Sequence, residues 1–294
     1  MQILDGIALS KTIKEEVKQV VTTYTDKGKR PPHLAAILVG DNGASKTYIN
    51  SKIKSCSECG FESSLFTFDA SIGEAELLQK IDELNKDSKL DGFIVQLPLP
   101  KHINENNIIQ AISPEKDVDG FTPINFGRMA LGLPCYIPAT PFGILQILER
   151  YNISTSGKHA VVIGRSNIVG KPISILLGLN QPSGNCTVTL VHSKTVHIEQ
   201  YIQQADIIIC ALGIPHFLKS DMIKEGAVVI DVGITRVEDT TLPKGYRIAG
   251  DADFENIKNK CSAITPVPGG VGPMTVAMLI KNTLLAYQRN YGDY

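Results

Sequence analysis

Val161-Val162-Ile163-Gly164-Arg165-Ser166-Asn167-Ile168-Val169-Gly170-Lys171-Pro172 is the stretch around which the rest of the chain reads. An apolar run ends in glycine. A polar turn follows, and a second glycine opens a helical pattern at Ile173, Leu176 and Leu177. Strand, tight turn and helix N-terminus together present backbone N–H groups and a positive helix end to a phosphate. The G-x5-G spacing is not the G-x-G-x-x-G fingerprint. It is not a Walker A loop either, because Pro172 stands where Ser or Thr would be needed. An ordinary strand-to-helix turn would look the same, so the residues beyond it have to decide.

They do so by an absence of charge. A dinucleotide fold that prefers NAD places an acidic residue about 20 positions on, against the ribose 2′-hydroxyl. No Asp or Glu occurs from Gly164 until Glu199, and the next strand, Thr187 to Val191, runs into His192-Ser193-Lys194-Thr195. A 2′-phosphate favours cations and hydroxyls. Arg165 and Ser193, with His192 or Lys194, would suit it, so NADP is the expected cofactor.

The 294 residues suffice for one large or two ordinary domains, and 43% hydrophobic content with a formal charge of −1 describes a soluble globular protein. That balance gives no reason to expect nucleic-acid binding. Met1 to Gly6 has no charged segment leading into an apolar one, and no apolar run reaches membrane-spanning length. The expected location is the cytoplasm, with no membrane association. Cys56-x-x-Cys59 invites a zinc or redox reading, but no second ligand pair stands at suitable spacing, so metal is not expected.

Working outward, periodicity predicts a helix from Asp5 to Tyr24, a buried strand from His33 to Val39, and a helix from Ala44 to Cys59 closed by Gly60. Tyr48 and Lys52 stand one turn apart on that helix. Aromatic packing on a lysine stem would give this spacing, and so would an aromatic platform beside a catalytic amine. A strand from Phe61 to Phe68, a helix from Gly73 to Asn85 and a strand from Gly92 into Leu97-Pro98-Leu99-Pro100 follow. Repeated β–α–β units imply parallel strands with ligands at their carboxyl ends, where Gln96 lies. Asp117 and Asp119 read as caps, a charged pair or substrate contacts. Asn125 to Thr140 is rich in Gly and Pro and marks a boundary. A linking helix from Phe142 to Tyr151 then opens a second alternation of strand and helix, with strands near His159–Gly164, Thr187–Val191, Ile207–Ala211, Ala227–Val232 and Arg247–Ala249. Thr265 to Thr275 carries three prolines and three glycines, which let main chain approach a ligand closely. The last helix is expected from Pro273 to Arg289.

These residues, taken in order, resemble the bifunctional methylenetetrahydrofolate dehydrogenase/cyclohydrolase family over nearly the whole chain. The carriers are Ser45-x-x-Tyr48-x-x-x-Lys52, Val95 to Pro100, Lys116 to Phe121, Gly164-Arg165-Ser166 with Val169 to Pro172, His192 to Thr195, and Thr265 to Thr275. Gly43, Ala139 and Ala252 depart from the family pattern without removing a catalytic group. The resemblance implies an α/β fold of two domains: a folate-binding catalytic domain over 1–140, completed by the helix 275–294, and a Rossmann-type NADP-binding domain with a parallel sheet over 141–274, with a cleft between them. It implies Lys52 as catalytic amine, Tyr48 stacked on the folate ring, Gln96 holding Lys52, and Asp119 gripping the pterin. It implies that Val95, Gln96 and Leu97, with Pro268, Gly269, Gly270, Val271 and Gly272, line the folate slot. Gly164, Arg165, Ser166, Ser193 and Ile234 would hold NADP. A homodimer is also implied.

The activity so implied is oxidation of 5,10-methylenetetrahydrofolate and hydrolysis of the methenyl product to 10-formyltetrahydrofolate. An NADP-linked dehydrogenase of another small acid would share the architecture but ignore folates. A non-catalytic NADP-binding regulator would not need Lys52 or Gln96. A zinc or thiol protein would carry metal or a titratable disulfide.

Overall fold

The structure is a computed structural model, which describes residues 1–242 and 245–292. In chain order its elements begin with β1 (Gln2–Ile3), α1 (Gly6–Thr25), β2 (His33–Val39), α2 (Gly43–Glu58), β3 (Glu62–Phe68), α3 (Glu74–Lys86) and β4 (Gly92–Val95). The helices α4 (Glu105–Ala111), α5 (Pro123–Ala130) and α6 (Ala139–Arg150) follow. Then come β5 (His159–Ile163), α7 (Gly170–Gly178), β6 (Thr187–Val191), α8 (Ile198–Ile202), β7 (Ile207–Cys210) and β8 (Val228–Asp231). The last elements are β9 (Thr235–Glu238), β10 (Tyr246–Ala249), α9 (Phe254–Ile257), β11 (Ala263–Ile264) and α10 (Val271–Asn290). The chain forms two compact units, Lys11–Ala139 with the stretch from Val276 onward, and Met1–Ser10 with Thr140–Thr275.

In the unit that holds Lys11–Ala139, β2 lies between β3 and β4, all parallel. His33–Val39 is apolar after its first residue because both faces of β2 are covered. Ile37, Leu77, Ile81, Phe93 and Ile108 form the centre of its core, each fully buried. Asn42 caps α2 by accepting from the Ala44 and Ser45 N–H groups, which starts the helix at Gly43, one residue earlier than periodicity indicates. The later part of α10 is stitched in by polar contacts. Asn282 donates to the Val118 and Ile137 carbonyls at 2.8 and 2.9 Å, and the Tyr287 hydroxyl to the Arg30 carbonyl at 2.7 Å. Helix α5 runs into the Gly- and Pro-rich stretch read as a boundary, beginning two residues before it. Thr122 caps it and Pro123 occupies its first turn, a start signal hidden by the surrounding glycines.

In the other unit the strand order is β1-β11-β8-β7-β5-β6, parallel throughout. Strand β5 has β6 on one side and β7 on the other, so the chain reverses its direction of winding there. The carboxyl end of β5, at Gly164, is therefore a topological switch point, the place where open α/β sheets take ligands. The strand expected near Arg247–Ala249 is β10, but it pairs antiparallel with β9 as a separate ribbon and adds nothing to the parallel sheet. Met1–Ser10 groups with this unit because β1 pairs with β11 and the Ile7 N–H donates to the Gly269 carbonyl at 3.1 Å. A Cβ on Gly6 would collide with the Gly270 carbonyl, so only glycine lets the chain pass there. Among the described residues no helix is long and apolar enough to cross a membrane.

Candidate active site

Strand pairing and helix spacing bring Lys52 and Gln96 together. The Gln96 N–H donates to the Ile37 carbonyl at 2.9 Å, continuing the β2–β4 ladder by one residue beyond β4. This sets Gln96 at the carboxyl end of the sheet. Its side-chain amide donates to the Leu97 carbonyl at 2.7 Å, which turns Oε1 toward Lys52, and the Lys52 Nζ donates to that oxygen at 3.2 Å. Tyr48, one turn earlier on α2, places its ring centroid 5.2 Å from the same Nζ. Lys52 is only 6% exposed. Burial holds its amine below the ordinary lysine range, while the Asp119 charge pulls it part of the way back. Burial likewise raises the Asp119 carboxyl, opposed by Lys52. The direction of this shift eases proton loss from the amine, which is what general acid–base chemistry asks of such a group.

The neighbouring residues divide their tasks. Asp117 accepts from the Phe121 and Thr122 N–H groups and from Asn125, so it organises the loop that carries Asp119. The Val95 side chain is buried in the core with Ile37 and Phe93. Cys56 and Cys59 are buried free thiols, pushed up by burial to about 12 and about 11. Among the described residues no cluster of His, Cys, Asp and Glu could hold a metal.

At the switch point Gly164 has φ +117°, and a Cβ there would collide with the Ala211 carbonyl. Only glycine allows this close turn into α7. The Ser166 hydroxyl accepts from the Val169 and Gly170 N–H groups at 3.2 and 3.3 Å and so braces the helix entry. Arg165 and Ser193 are exposed. The Thr195 hydroxyl accepts from the His192 N–H at 2.9 Å and His192 Nδ1 accepts from the Lys194 N–H at 3.2 Å, so the His192 ring serves its own turn. The glycine cradle and the cationic run from Gly164 to His197, which holds no carboxylate, fit a dinucleotide with a 2′-phosphate.

Pro268 to Gly272 lines a cavity of about 260 Å³ together with Ile7, Asp231, Gly233 and Ile234. The Ile234 side chain lies over Gly272, where a Cβ would meet it at 3.3 Å. One nucleotide candidate and one folate-slot candidate are thus neighbours.

Two family models match the chain. The tetrahydrofolate dehydrogenase/cyclohydrolase catalytic domain covers residues 4–119, and the NAD(P)-binding domain of the same family covers residues 138–291. The chain belongs to the tetrahydrofolate dehydrogenase/cyclohydrolase family. Among curated relatives in this family, the bifunctional protein FolD of Flavobacterium johnsoniae is 61% identical, with 97% of each chain covered. The FolD dehydrogenase/cyclohydrolase structure from Campylobacter jejuni superposes with a TM-score of 0.92 at 48% identity, over 98% of this chain and 99% of that one. The Trypanosoma brucei FolD structure, complexed with NADP cofactor and an inhibitor, gives 0.93 at 36% identity over 98% of each chain. The two-domain α/β architecture, a catalytic domain and an NAD(P)-binding domain, is thus that of the family.

Sequence reasoning passed over Gly6, Ile7, Asp231 and Asp251. Ile7 comes next to the Gly269 loop through a two-residue strand too short to show periodicity. Asp231 ends the apolar run Val228-Val229-Ile230, and Asp251 follows Gly250. An acid closing a buried strand was the signal available.

Proposed function

We propose that the chain oxidises 5,10-methylenetetrahydrofolate with NADP and hydrolyses the 5,10-methenyl product to 10-formyltetrahydrofolate, with Lys52 as the group that moves protons. The observation that carries this reading is the buried Lys52 amine held by a neutral partner, the Gln96 amide oxygen at 3.2 Å. A carboxylate in that place would fix the proton on the amine. An amide orients the amine and leaves it free to titrate.

NADP, when bound, supplies the hydride acceptor. Gly164, Arg165 and Ser166 would receive its phosphates at the α7 N-terminus, Ser193 and Arg165 would take the 2′-phosphate, and Ile234 would cover the ring end. Tyr48 would stack on the folate ring, and Asp119 would hold the pterin. The main chain of Val95, with Gln96 and Leu97, and the segment Pro268, Gly269, Gly270, Val271 and Gly272 would shape the slot. No side chain needs to touch the hydride. Hydrolysis does need one: the neutral Lys52 amine takes one proton from the attacking water and returns it to the leaving ring nitrogen as the cyclic adduct opens, while the adduct's hydroxyl proton is released to solvent as the formyl C=O forms.

The domain limits we assign are 1–140 with 275–294 for folate and 141–274 for NADP, with Met1–Ser10 lending β1 to the sheet of the NADP unit. We further assign a cytoplasmic homodimer whose formyl product serves one-carbon transfer, purine biosynthesis included. A single coupled assay tests the function. Purified protein is given methylenetetrahydrofolate and each nucleotide, and absorbance is followed at the nicotinamide and methenyl bands. NADP-dependent reduction followed by decay of the methenyl band is expected. No turnover with the folate would leave the dehydrogenase of another small acid as the reading.

A further inference from the structure

Strands β7, β8 and β10 end close together, and two carboxylates join the segments that follow them. Asp231 accepts the Gly233 and Asp251 N–H groups on one oxygen, at 2.9 and 3.0 Å, and the Ala252 N–H on the other at 2.8 Å. Asp251 accepts the Leu212 and Gly213 N–H groups on Oδ2, at 2.7 and 3.1 Å. Its Oδ1 is buried with no hydrogen-bond partner. The two residues are 3% and 0% exposed. The chain gives way to them: a Cβ on Gly233 would collide with Asp251, and a Cβ on Gly250 with the Asp231 carboxylate.

Burying two carboxylates is costly, and stability alone would be served as well by apolar packing. What the pair does achieve is to fix five backbone N–H groups in the segments after these strands, where Gly213 is exposed. Ile214 and Ile234, directly beyond these segments, are 51% and 55% exposed.

We propose that Asp231 and Asp251 are positioning residues for the dehydrogenase, holding Leu212–Gly213 and Gly233–Ile234 in the conformation that receives the nucleotide. This rests on the reading above that these strand ends take NADP. Burial pushes the Asp231 carboxyl up to about 6, against the N–H groups that favour its ionised form.

The two residues differ in a way that can be measured. All accepting by Asp251 falls on one oxygen, so Asp251→Asn can present its amide oxygen there and place its NH2 where nothing is bonded. Both Asp231 oxygens accept, so Asp231→Asn must set an NH2 against an N–H donor. Asp231→Asn is expected to raise the KM and Kd for NADP at least about tenfold. Hydrolysis of supplied methenyltetrahydrofolate, which uses no nucleotide, should fall by a clearly smaller factor than NADP affinity does. Asp251→Asn is expected within about threefold of wild type for NADP. Asp251→Ala, which removes the acceptor without adding a donor, should repeat the selective NADP defect and serves as the test if Asp231→Asn does not fold. Equal loss of both activities, unchanged NADP affinity in Asp231→Asn and Asp251→Ala, or equal damage from the two Asn variants would overturn the proposal. Failure of the wild-type protein to bind NADP would overturn the underlying reading instead.

Discussion

The Lys52 amine and the Gln96 side chain meet at 3.2 Å with the direction of the contact already set, because the Gln96 amide is committed to the Leu97 carbonyl. The amine therefore faces an oxygen and no competing donor. Lys52→Met keeps the length and the apolar stem while removing the titrating group. The expected outcome is a loss of about 10²- to 10⁴-fold in cyclohydrolase kcat. NADP affinity, measured by fluorescence titration, should not change. Substantial hydrolysis by the variant would take Lys52 out of its role.

The pH dependence follows from the direction of the Lys52 shift. The base must be neutral, so cyclohydrolase kcat should rise with pH through a limb below the ordinary lysine value of 10.5. Asp119 raises the Lys52 pKa, so Asp119→Asn should move the limb to lower pH. Gln96→Glu adds a negative charge beside the amine and should move it to higher pH. Profiles at saturating folate separate these shifts from weakened binding. The linkage has a definite sign too. With the folded value below the unfolded one, folding releases a proton, and the penalty for burying the charged amine diminishes as pH rises toward 10.5.

Coenzyme choice is expected to depend on Arg165, exposed beside the Gly164 turn. A charged contact to a 2′-phosphate contributes about 1.5–3 kcal/mol. Arg165→Ala should therefore lower kcat/KM for NADP by at least about tenfold and leave the lower value for NAD nearly unchanged. Equal wild-type kcat/KM for the two nucleotides would remove the argument from the missing carboxylate.

Asp91 ties down the end of the chain. Its buried carboxylate takes both Arg30 nitrogens, at 2.7 and 2.8 Å, the His33 N–H at 2.8 Å and the Asn290 amide at 2.9 Å. Asp91→Ala removes the ion pair of Arg30 and leaves the His33 N–H at the β2 entrance without its acceptor. A loss of about 3 kcal/mol is expected, read as a lower urea midpoint at unchanged slope. A midpoint shift equivalent to under about 1 kcal/mol would show that α10 is held by its apolar face instead.

Much of this was legible in the order of residues. His33-Leu34-Ala35-Ala36-Ile37-Leu38-Val39 reads as a strand covered on both faces because no polar residue interrupts it. Gly164 and the carboxylate-free run after it indicate a phosphorylated ribose from charge alone. The short pieces were not legible. Strands β1 and β11 have two residues each, too few for any period, yet they extend the parallel sheet and carry Ile7 to the Gly269 loop. The ribbon of β9 and β10 escaped because its strand pattern does not say which neighbour it pairs with.

Sequence alone determined which positions are apolar at a helical or strand period, where the glycines of the Gly164 turn and the Pro- and Gly-rich segment stand, and which stretch lacks negative charge. These are properties of residues and their near neighbours. Tertiary structure alone decided that Gln96, 44 positions away, presents an oxygen to Lys52, that burial lowers the pKa of that amine, and that Asp231 and Asp251 share one buried site. The reason is that desolvation and hydrogen-bond direction arise from packing between distant segments, and no local pattern encodes them.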